Sequence, residues 1–180
     1  ELEINEKAMF AGWKAAFNGE DLQLTDEAML AKLNNFRKEL QGKVQQRAKV
    51  MAEENLSKGS AYLAENAKKE GVVTTESGLQ YKVVNQGSGP IPTSKDKVTV
   101  HYKGTLINGD EFDSLYKRGE PTSFPVTGVI KGWTEALQLM PVGSKWELCI
   151  PSNLAYGNSP RGPGGPNSTL LFEVELLGIE

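Results

Sequence analysis

Few residues in this 180-residue chain could carry out covalent or metal chemistry. Cys149 is the only cysteine and His101 the only histidine, so neither an intramolecular disulfide nor a cysteine-based metal site is available. Cys149 stands in the apolar run Trp146, Leu148 and Ile150, and we interpret it as a buried structural residue. His101 is interpreted as a surface or edge residue rather than a base. The sequence therefore indicates no metal and no cofactor.

Composition and charge exclude several further classes of function. The chain is 38% hydrophobic and 24% charged, with a formal net charge of -3, and no basic cluster is interleaved with aromatic residues. Nucleic acid is therefore not an expected partner. No apolar stretch approaches the roughly 18 residues that span a bilayer, and no signal-peptide pattern opens the chain. The run Gly162–Gly165 lacks the setting of a phosphate loop and is interpreted as a flexible flap.

Five short motifs follow one another in the second half of the chain. They read VHYKG from Val100, NGDEFDS from Asn108, GVIKGW from Gly128, LAYG from Leu154 and STLLFEVEL from Ser168. Their residues, order and spacing resemble those of the FK506-binding (FKBP) family of peptidyl-prolyl cis/trans isomerases. The resemblance extends from about Thr74 to Glu180, roughly a hundred residues.

The resemblance implies an apolar pocket with a few polar groups. It assigns catalytic roles to Asp113, Tyr102 and Tyr156. The residues that it places around substrate or inhibitor are Tyr102, Phe112, Asp113, Arg118, Phe124, Val129, Ile130, Trp133, Tyr156 and Phe172. Trp133 would form the floor under the proline ring, and Asp113 would polarise or orient the substrate carbonyl or hold Tyr102 and Arg118 in place. Without the resemblance, periodicity alone favours a core role for these aromatic residues.

Isomerisation of an X-Pro bond makes and breaks no covalent bond. The barrier of about 20 kcal/mol comes from amide resonance, which a planar, dipolar amide has and a twisted amide has lost. An apolar, dry pocket therefore disfavours the ground state more than the transition state. The resemblance adds that the Tyr156 hydroxyl and the Ile130 backbone N–H would each donate to a substrate carbonyl.

Two departures from the family pattern affect the expected pocket. The loop 158–167 contains no large apolar residue, whereas many family members have an isoleucine ahead of a proline there. Thr122 follows Pro121 where many members have an aromatic residue. Both departures predict a more open rim and an altered preference for substrates and drugs.

The elements that position these residues differ between the two parts of the chain. No proline precedes Gly71, and all nine prolines follow it. Asn5 predicts the cap of a short helix to Phe17, and Thr25 precedes a long helix that we extend to Glu70, roughly 65 Å of stalk. The apolar stripe of the stalk thins in the middle, which favours a solvated linker over a compact helical bundle.

From Gly71 onward the pattern changes to short alternating strands. Strands are predicted around Tyr81, from Val98 to Tyr102, from Lys145 to Ile150 and from Thr169 to Leu177, with a hairpin turn at Asn108-Gly109 and a short helix at Trp133–Gln138. The class is α+β. The resemblance specifies the FKBP fold, a twisted antiparallel β-sheet wrapped around a short helix.

The order of the segments resembles the two-domain bacterial FKBPs of the macrophage infectivity potentiator type. It implies a partial helical dimerisation module at 1–24, a linker helix at 25–70 and an isomerase domain at 71–180. The resemblance implies a homodimer through the N-terminal helices. The family module usually carries one more upstream helix, so dimerisation impaired by truncation is the alternative.

The partners and location implied by the resemblance follow from the same family. Expected partners are unfolded or proline-containing polypeptides and macrolides of the FK506 and rapamycin type. The alternative to catalysis is a non-catalytic dimeric chaperone that uses the same clefts. The expected location is the periplasm or outer-membrane surface of a Gram-negative bacterium, with the cytoplasm as the alternative.

Overall fold

The computed structural model describes residues 5–20, 25–116 and 119–180. Helix α1 spans Glu6–Phe17 and helix α2 spans Asp26–Asn66. The side chain of Asn5 accepts a hydrogen bond from the Ala8 N–H at 3.0 Å, which confirms the predicted cap. The chain divides into two compact units, Glu1–Gln46 and Arg47–Glu180.

The described part of the first unit exposes most of its large apolar side chains. No residue of α1 is buried, and Trp13 and Phe17 stack on each other with ring centroids 5.6 Å apart. The large exposed apolar residues of this unit include Met9, Phe10, Trp13, Phe17, Met29, Leu30, Leu33, Phe36, Leu40 and Val44. Among the described residues of this unit they form no buried core.

Helix α2 ends at Asn66, before the predicted end at Glu70. The Ala67 N–H still bonds four residues back, to the Leu63 carbonyl, but the N–H groups of Lys68 and Lys69 bond only three residues back, to Glu65 and Asn66. Gly71 then adopts a φ of +79°, which L side chains rarely adopt. The helix therefore tightens and stops ahead of the sheet.

A seven-stranded antiparallel sheet forms the main part of the second unit. Its order is β1-β2-β6-β7-β3-β4, and β5 pairs with β3. The strands are β1 Val72–Thr74, β2 Gln80–Asn85, β3 Lys97–Leu106, β4 Glu111–Ser114, β5 Thr122–Pro125, β6 Lys145–Ile150 and β7 Leu170–Ile179. The hairpin at Asn108-Gly109 joins β3 to β4, as predicted, while β1 and β5 are strands that the sequence pattern did not indicate.

Helix α3, Lys131–Leu137, packs on one face of this sheet. Its buried residues Trp133, Ala136 and Leu137 join a core with alternate residues of the strands. On β7 these are Leu170, Phe172, Val174 and Leu176. Short connections position α3, and the period of two along each strand places the apolar set toward it. The predicted α+β class is confirmed.

The opposite face of the sheet contacts the C-terminal part of α2. Gln80 is 4% exposed, accepts a hydrogen bond from Asn66 Nδ2 at 2.9 Å and donates one to the Leu63 carbonyl at 2.9 Å. Its cross-strand partner Cys149 is buried. The interpretation of Cys149 as a buried structural residue agrees with this position.

Burial of Cys149 predicts a pH dependence of stability. Burial raises the pKa of its thiol from 9.0 to about 12, so the folded protein keeps a proton that the unfolded chain releases above pH 9. The contribution of the protonated Cys149 thiol to the free energy of unfolding is complete below pH 9. It decreases by about 1.4 kcal/mol per pH unit as the pH rises from 9 to 12. Denaturant unfolding between pH 8 and 11 should show this slope for the wild type and a smaller one for Cys149→Ala. Parallel profiles for the two proteins would contradict it.

Candidate active site

A cavity of about 410 Å³ opens beside the first turn of α3. It brings together every predicted site residue that the structure describes. The lining residues are Tyr102, Phe112, Asp113, Phe124, Gly128, Val129, Ile130, Trp133, Tyr156 and Phe172. Arg118, the remaining predicted site residue, lies outside the described residues.

Strand periodicity directs the side chains of β3 and β7 into this cavity. Val98 and Val100 are fully buried, and Tyr102 follows them on the same face of β3. Gly104 comes next on that face and pairs with Phe172 of β7. A Cβ at Gly104 would lie 2.6 Å from the Phe112 ring and 2.9 Å from the Phe172 ring. The missing side chain at Gly104 therefore makes room for both rings.

Trp133 is the centre of the aromatic lining. Its ring meets Tyr102 at 5.2 Å and 85°, and Phe172 at 5.3 Å and 89°, both edge to face. The Phe124 ring also packs edge to face on Trp133, with ring centroids 5.6 Å apart. Trp133 itself is only 4% exposed. Each such pair stabilises the arrangement by about 0.5–1.5 kcal/mol beyond the area that it buries. The floor of the cavity is therefore fixed by three rings packed against a fourth.

The polar groups lie at the wall and rim of the cavity. The Tyr102 hydroxyl donates a hydrogen bond to Asp113 Oδ2. The hydrogen bond links neighbouring strands, because β3 and β4 pair at Gly104 and Asp113. Tyr156 follows a 3₁₀ turn at Ser152–Leu154 and is 48% exposed. The cavity thus combines an apolar floor with one carboxylate among its lining residues and a half-exposed phenol.

Gly128 lines the cavity although the predicted set omits it. It ends the 3₁₀ turn Val126–Gly128, directly before Val129 and Ile130. The signal was present in the sequence, because Gly128 opens the GVIKGW motif. Glycine contributes only backbone surface to the cavity, whereas the predicted set consists of residues with aromatic, apolar or charged side chains.

Residues capable of other chemistry lie away from the cavity. His101 stacks on Tyr116 with ring centroids 5.3 Å apart, and it alternates with Tyr102 along β3. Within residues 5–20, 25–116 and 119–180, no three His, Cys, Asp or Glu side chains converge as metal ligands. In the same ranges, no helix combines the length and the apolar character that a membrane crossing requires.

Two family models match the chain in adjacent segments. The model described as FKBP-type peptidyl-prolyl cis-trans isomerase matches residues 89–177. The model described as the domain amino terminal to FKBP-type peptidyl-prolyl isomerase matches residues 1–83. The first match contains the whole cavity, and the second contains α1, α2, β1 and most of β2.

Curated relatives match almost the full chain. It is 47% identical to the outer membrane protein MIP of Legionella longbeachae, over 99% of this chain and 77% of that protein. It is 52% identical to the FKBP-type 22 kDa peptidyl-prolyl cis-trans isomerase of Escherichia coli K12, over 96% of this chain and 82% of that protein. Both relatives come from Gram-negative bacteria.

The fold is also that of a solved relative. The crystal structure of FkpA from Escherichia coli matches with a TM-score of 0.82 and 42% identity, over 99% of this chain and 84% of that one. This likeness confirms the predicted FKBP fold. By these matches and by its fold, the chain belongs to the family of FKBP-type peptidyl-prolyl cis-trans isomerases.

Proposed function

We propose that the cavity around Trp133 is where this isomerase accelerates X-Pro rotation in protein clients, and that the protein thereby assists folding. Proteins of the FKBP family bind proline-containing peptides. The observation that carries the proposal is the edge-to-face cluster of Tyr102, Phe172 and Phe124 around a Trp133 that is only 4% exposed. Such a floor offers a proline ring an apolar surface and little bound water.

The mechanism is preferential stabilisation of the twisted amide. A planar X-Pro amide loses favourable solvation on entering an apolar cavity, whereas the twisted amide has a smaller dipole and loses less. The barrier to be lowered is about 18–20 kcal/mol, and each 1.4 kcal/mol is worth about a factor of ten in rate. Proton transfer is not needed at any step.

The polar groups orient the substrate. The Asp113 carboxylate, held by the Tyr102 hydroxyl, polarises or orients the carbonyl that precedes proline. Tyr156 at the rim and the backbone N–H of Ile130, directly before α3, donate to substrate carbonyls. Together these groups hold the substrate so that its twisted X-Pro amide lies over the floor of the cavity.

Refolding of a protein limited by an X-Pro bond tests the proposal. Catalytic amounts of this protein should shorten the slow phase, which lasts tens to hundreds of seconds unaided. FK506 should restore the unaided rate, because the macrolide occupies the same apolar cavity. An unchanged slow phase would contradict the proposed role, and FK506-insensitive acceleration would place the reaction elsewhere.

We propose further that the protein is a homodimer through its N-terminal helices. In this proposal, residues 1–24 form a partial dimerisation module, residues 25–70 form a linker helix and residues 71–180 form the isomerase domain. The proposal is supported by the exposure of Trp13 at 61% and Phe17 at 78%, since exposed apolar patches commonly mark interaction sites. Because the two rings stack into one flat apolar surface, a second copy of the same face is a suitable partner.

The oligomeric state can be changed by two substitutions. Light scattering of the wild type should give about twice the chain mass of 19.6 kDa. Trp13→Ser with Phe17→Ser should give the mass of one chain at the same concentration. The matched control is Lys7→Ser with Lys14→Ser on the same helix, which should leave the mass unchanged. A single-chain mass for the wild type would contradict the dimer.

The exposed apolar residues of the first unit also support a chaperone role as the second candidate. The prediction is suppressed aggregation of a client that lacks a slow proline step, with loss of that effect in the Trp13→Ser, Phe17→Ser variant. Equal protection by that variant would remove the N-terminal helices from the chaperone role. Refolding assays on the same variant separate this activity from isomerisation.

We propose the periplasm or the outer-membrane surface as the location. The support is the name of one relative, an outer membrane protein of Legionella longbeachae, of which this chain covers 77%. Fractionation of the native host with compartment markers tests it. Recovery with cytoplasmic markers would favour the alternative.

A further inference from the structure

The segment 157–169, which we call the Tyr156–β7 loop, has little regular structure of its own. It contains three prolines and four glycines, residues that interrupt helices and strands. Its internal backbone hydrogen bonds include Gly165 N–H to Gly162 O at 3.0 Å and Asn167 N–H to Gly157 O at 2.7 Å. A loop of this composition takes its position largely from what surrounds it.

One side chain of α2 bonds to this loop at three points. The amide nitrogen Nδ2 of Asn55 lies 3.0 Å from Gly164 O, 2.8 Å from Pro166 O and 3.1 Å from Ser168 Oγ. Its two N–H groups are shared among these three acceptors. Asparagine is a poor helix former, so its place inside α2 is better explained by these bonds than by helix propensity.

The same face of α2 fits closely against the loop. Ala52, Asn55 and Gly59 follow the spacing of one helical face. Asn167 Nδ2 donates to the Ala52 carbonyl at 3.4 Å. A Cβ at Gly59 would lie 2.3 Å from Thr169 Oγ1, so a glycine is what allows this approach. The loop is therefore held along about two turns of the helix, from Ala52 to Gly59.

The other side of the loop touches the active site. A Cβ at Gly162 would lie 2.7 Å from Tyr156 Cβ and 2.9 Å from its Cγ, so the loop backbone packs on the base of that ring. Gly162 is two residues from Gly164, which Asn55 holds. Because Tyr156 lines the cavity and is half-exposed, this packing restricts a ring that solvent leaves free on its other side.

We infer that Asn55 is a positioning residue for the isomerase reaction. It holds the Tyr156–β7 loop against α2, and the loop in turn holds Tyr156 at the rim of the cavity. The inference rests on the proposed function, since it assumes that Tyr156 contacts the substrate. It assigns to the helix that precedes the isomerase domain a part in shaping the site.

The test compares two asparagines of the same helix. Asn55→Ala should lower kcat/KM for prolyl peptides by about 3- to 10-fold, the equivalent of one or two hydrogen bonds. It should also change the relative rates for peptides that differ in the residue before proline. Asn66→Ala removes the hydrogen bond to Gln80 instead. It should leave kcat/KM and the relative rates for these peptides within about twofold of the wild type. Asn55→Asp keeps the shape without the donor and should reproduce the loss if the alanine variant folds poorly.

A double-mutant cycle separates positioning from general damage. In a Tyr156→Ala background, Asn55→Ala should have no further effect on kcat/KM, because its effect acts through that ring. An equal additional loss in that background, or an equal loss from Asn66→Ala, would overturn the inference while leaving the proposed site intact. Wild-type kcat/KM for Tyr156→Ala would instead refute the role of Tyr156 in the proposed function, and the inference with it.

Discussion

Trp133→Ala should lower the free energy of unfolding by about 3–5 kcal/mol and reduce kcat/KM for prolyl peptides by at least about tenfold. The substitution removes the ring that Tyr102, Phe124 and Phe172 all contact. It opens the floor of the cavity to water, which solvates the planar amide and removes the advantage of the twisted state. Denaturant unfolding and a peptide assay at a temperature where the variant is folded measure the two effects.

Trp146 provides a matched control for this experiment. It is 3% exposed and stacks on Tyr81 at 4.4 Å, within the same core but outside the cavity lining. Trp146→Ala should cost a similar free energy of unfolding and leave kcat/KM of the folded protein nearly unchanged. If both variants lose activity equally, core integrity rather than the cavity floor determines the rate.

Asp113→Asn should reduce kcat/KM by about tenfold, the loss of roughly 1.4 kcal/mol of transition-state stabilisation. The amide keeps the shape of the carboxylate and removes its charge. Tyr102→Phe should also slow the reaction, because it removes the hydroxyl that donates to Asp113. In the double variant the second substitution should add little, since the two groups act as one unit.

Asp110→Asn is the control for charge removal on the same hairpin. Asp110 lies in the exposed turn beside Gly109, accepts from Asn108 and is not part of the cavity lining. Its kcat/KM should stay within about twofold of the wild type. Wild-type activity in Asp113→Asn would exclude a role for the charge and leave catalysis to the aromatic lining with the Tyr156 and Ile130 donors.

Ordered motifs in the sequence made most of the site predictable. Tyr102 and Phe172 stand on alternating strands, and periodicity alone assigns both to a core. Only the succession of five motifs indicates that their rings line a cavity, and nine of the ten lining residues belong to the predicted set. Gly128 is the exception, and Arg118 lies outside the described residues.

Short edge strands were not predictable in the same way. β1 has three residues, and β5 ends at Pro125, which lacks the N–H of a ladder residue. Pairing with β2 and β3 defines them, and that pairing depends on tertiary contacts rather than on local pattern. The end of α2 at Asn66 is likewise set by the turn to Gly71 and not by helix propensity.

Contacts distant in sequence account for the rest. The Gly162–Gly165 run reads as a flexible flap from composition alone. In the structure Asn55, 109 residues before Gly164, donates a hydrogen bond to the Gly164 carbonyl and two more to Pro166 and Ser168 just after the run. No pattern in the run itself points to α2. The sequence predicts a more open cavity rim because the loop 158–167 lacks a large apolar residue. It does not reveal the hydrogen bonds from Asn55 that hold this loop against α2.

The most direct test of the central claim is equilibrium NMR of a prolyl peptide with catalytic amounts of the protein, followed on both molecules. The peptide cis and trans signals should exchange far faster than the unaided tens of seconds. The indole signal of Trp133, distinguished from those of Trp13 and Trp146, should shift on peptide binding and on addition of FK506, which should stop the exchange. Acceleration without any shift of the Trp133 signal, or no acceleration, would contradict the account.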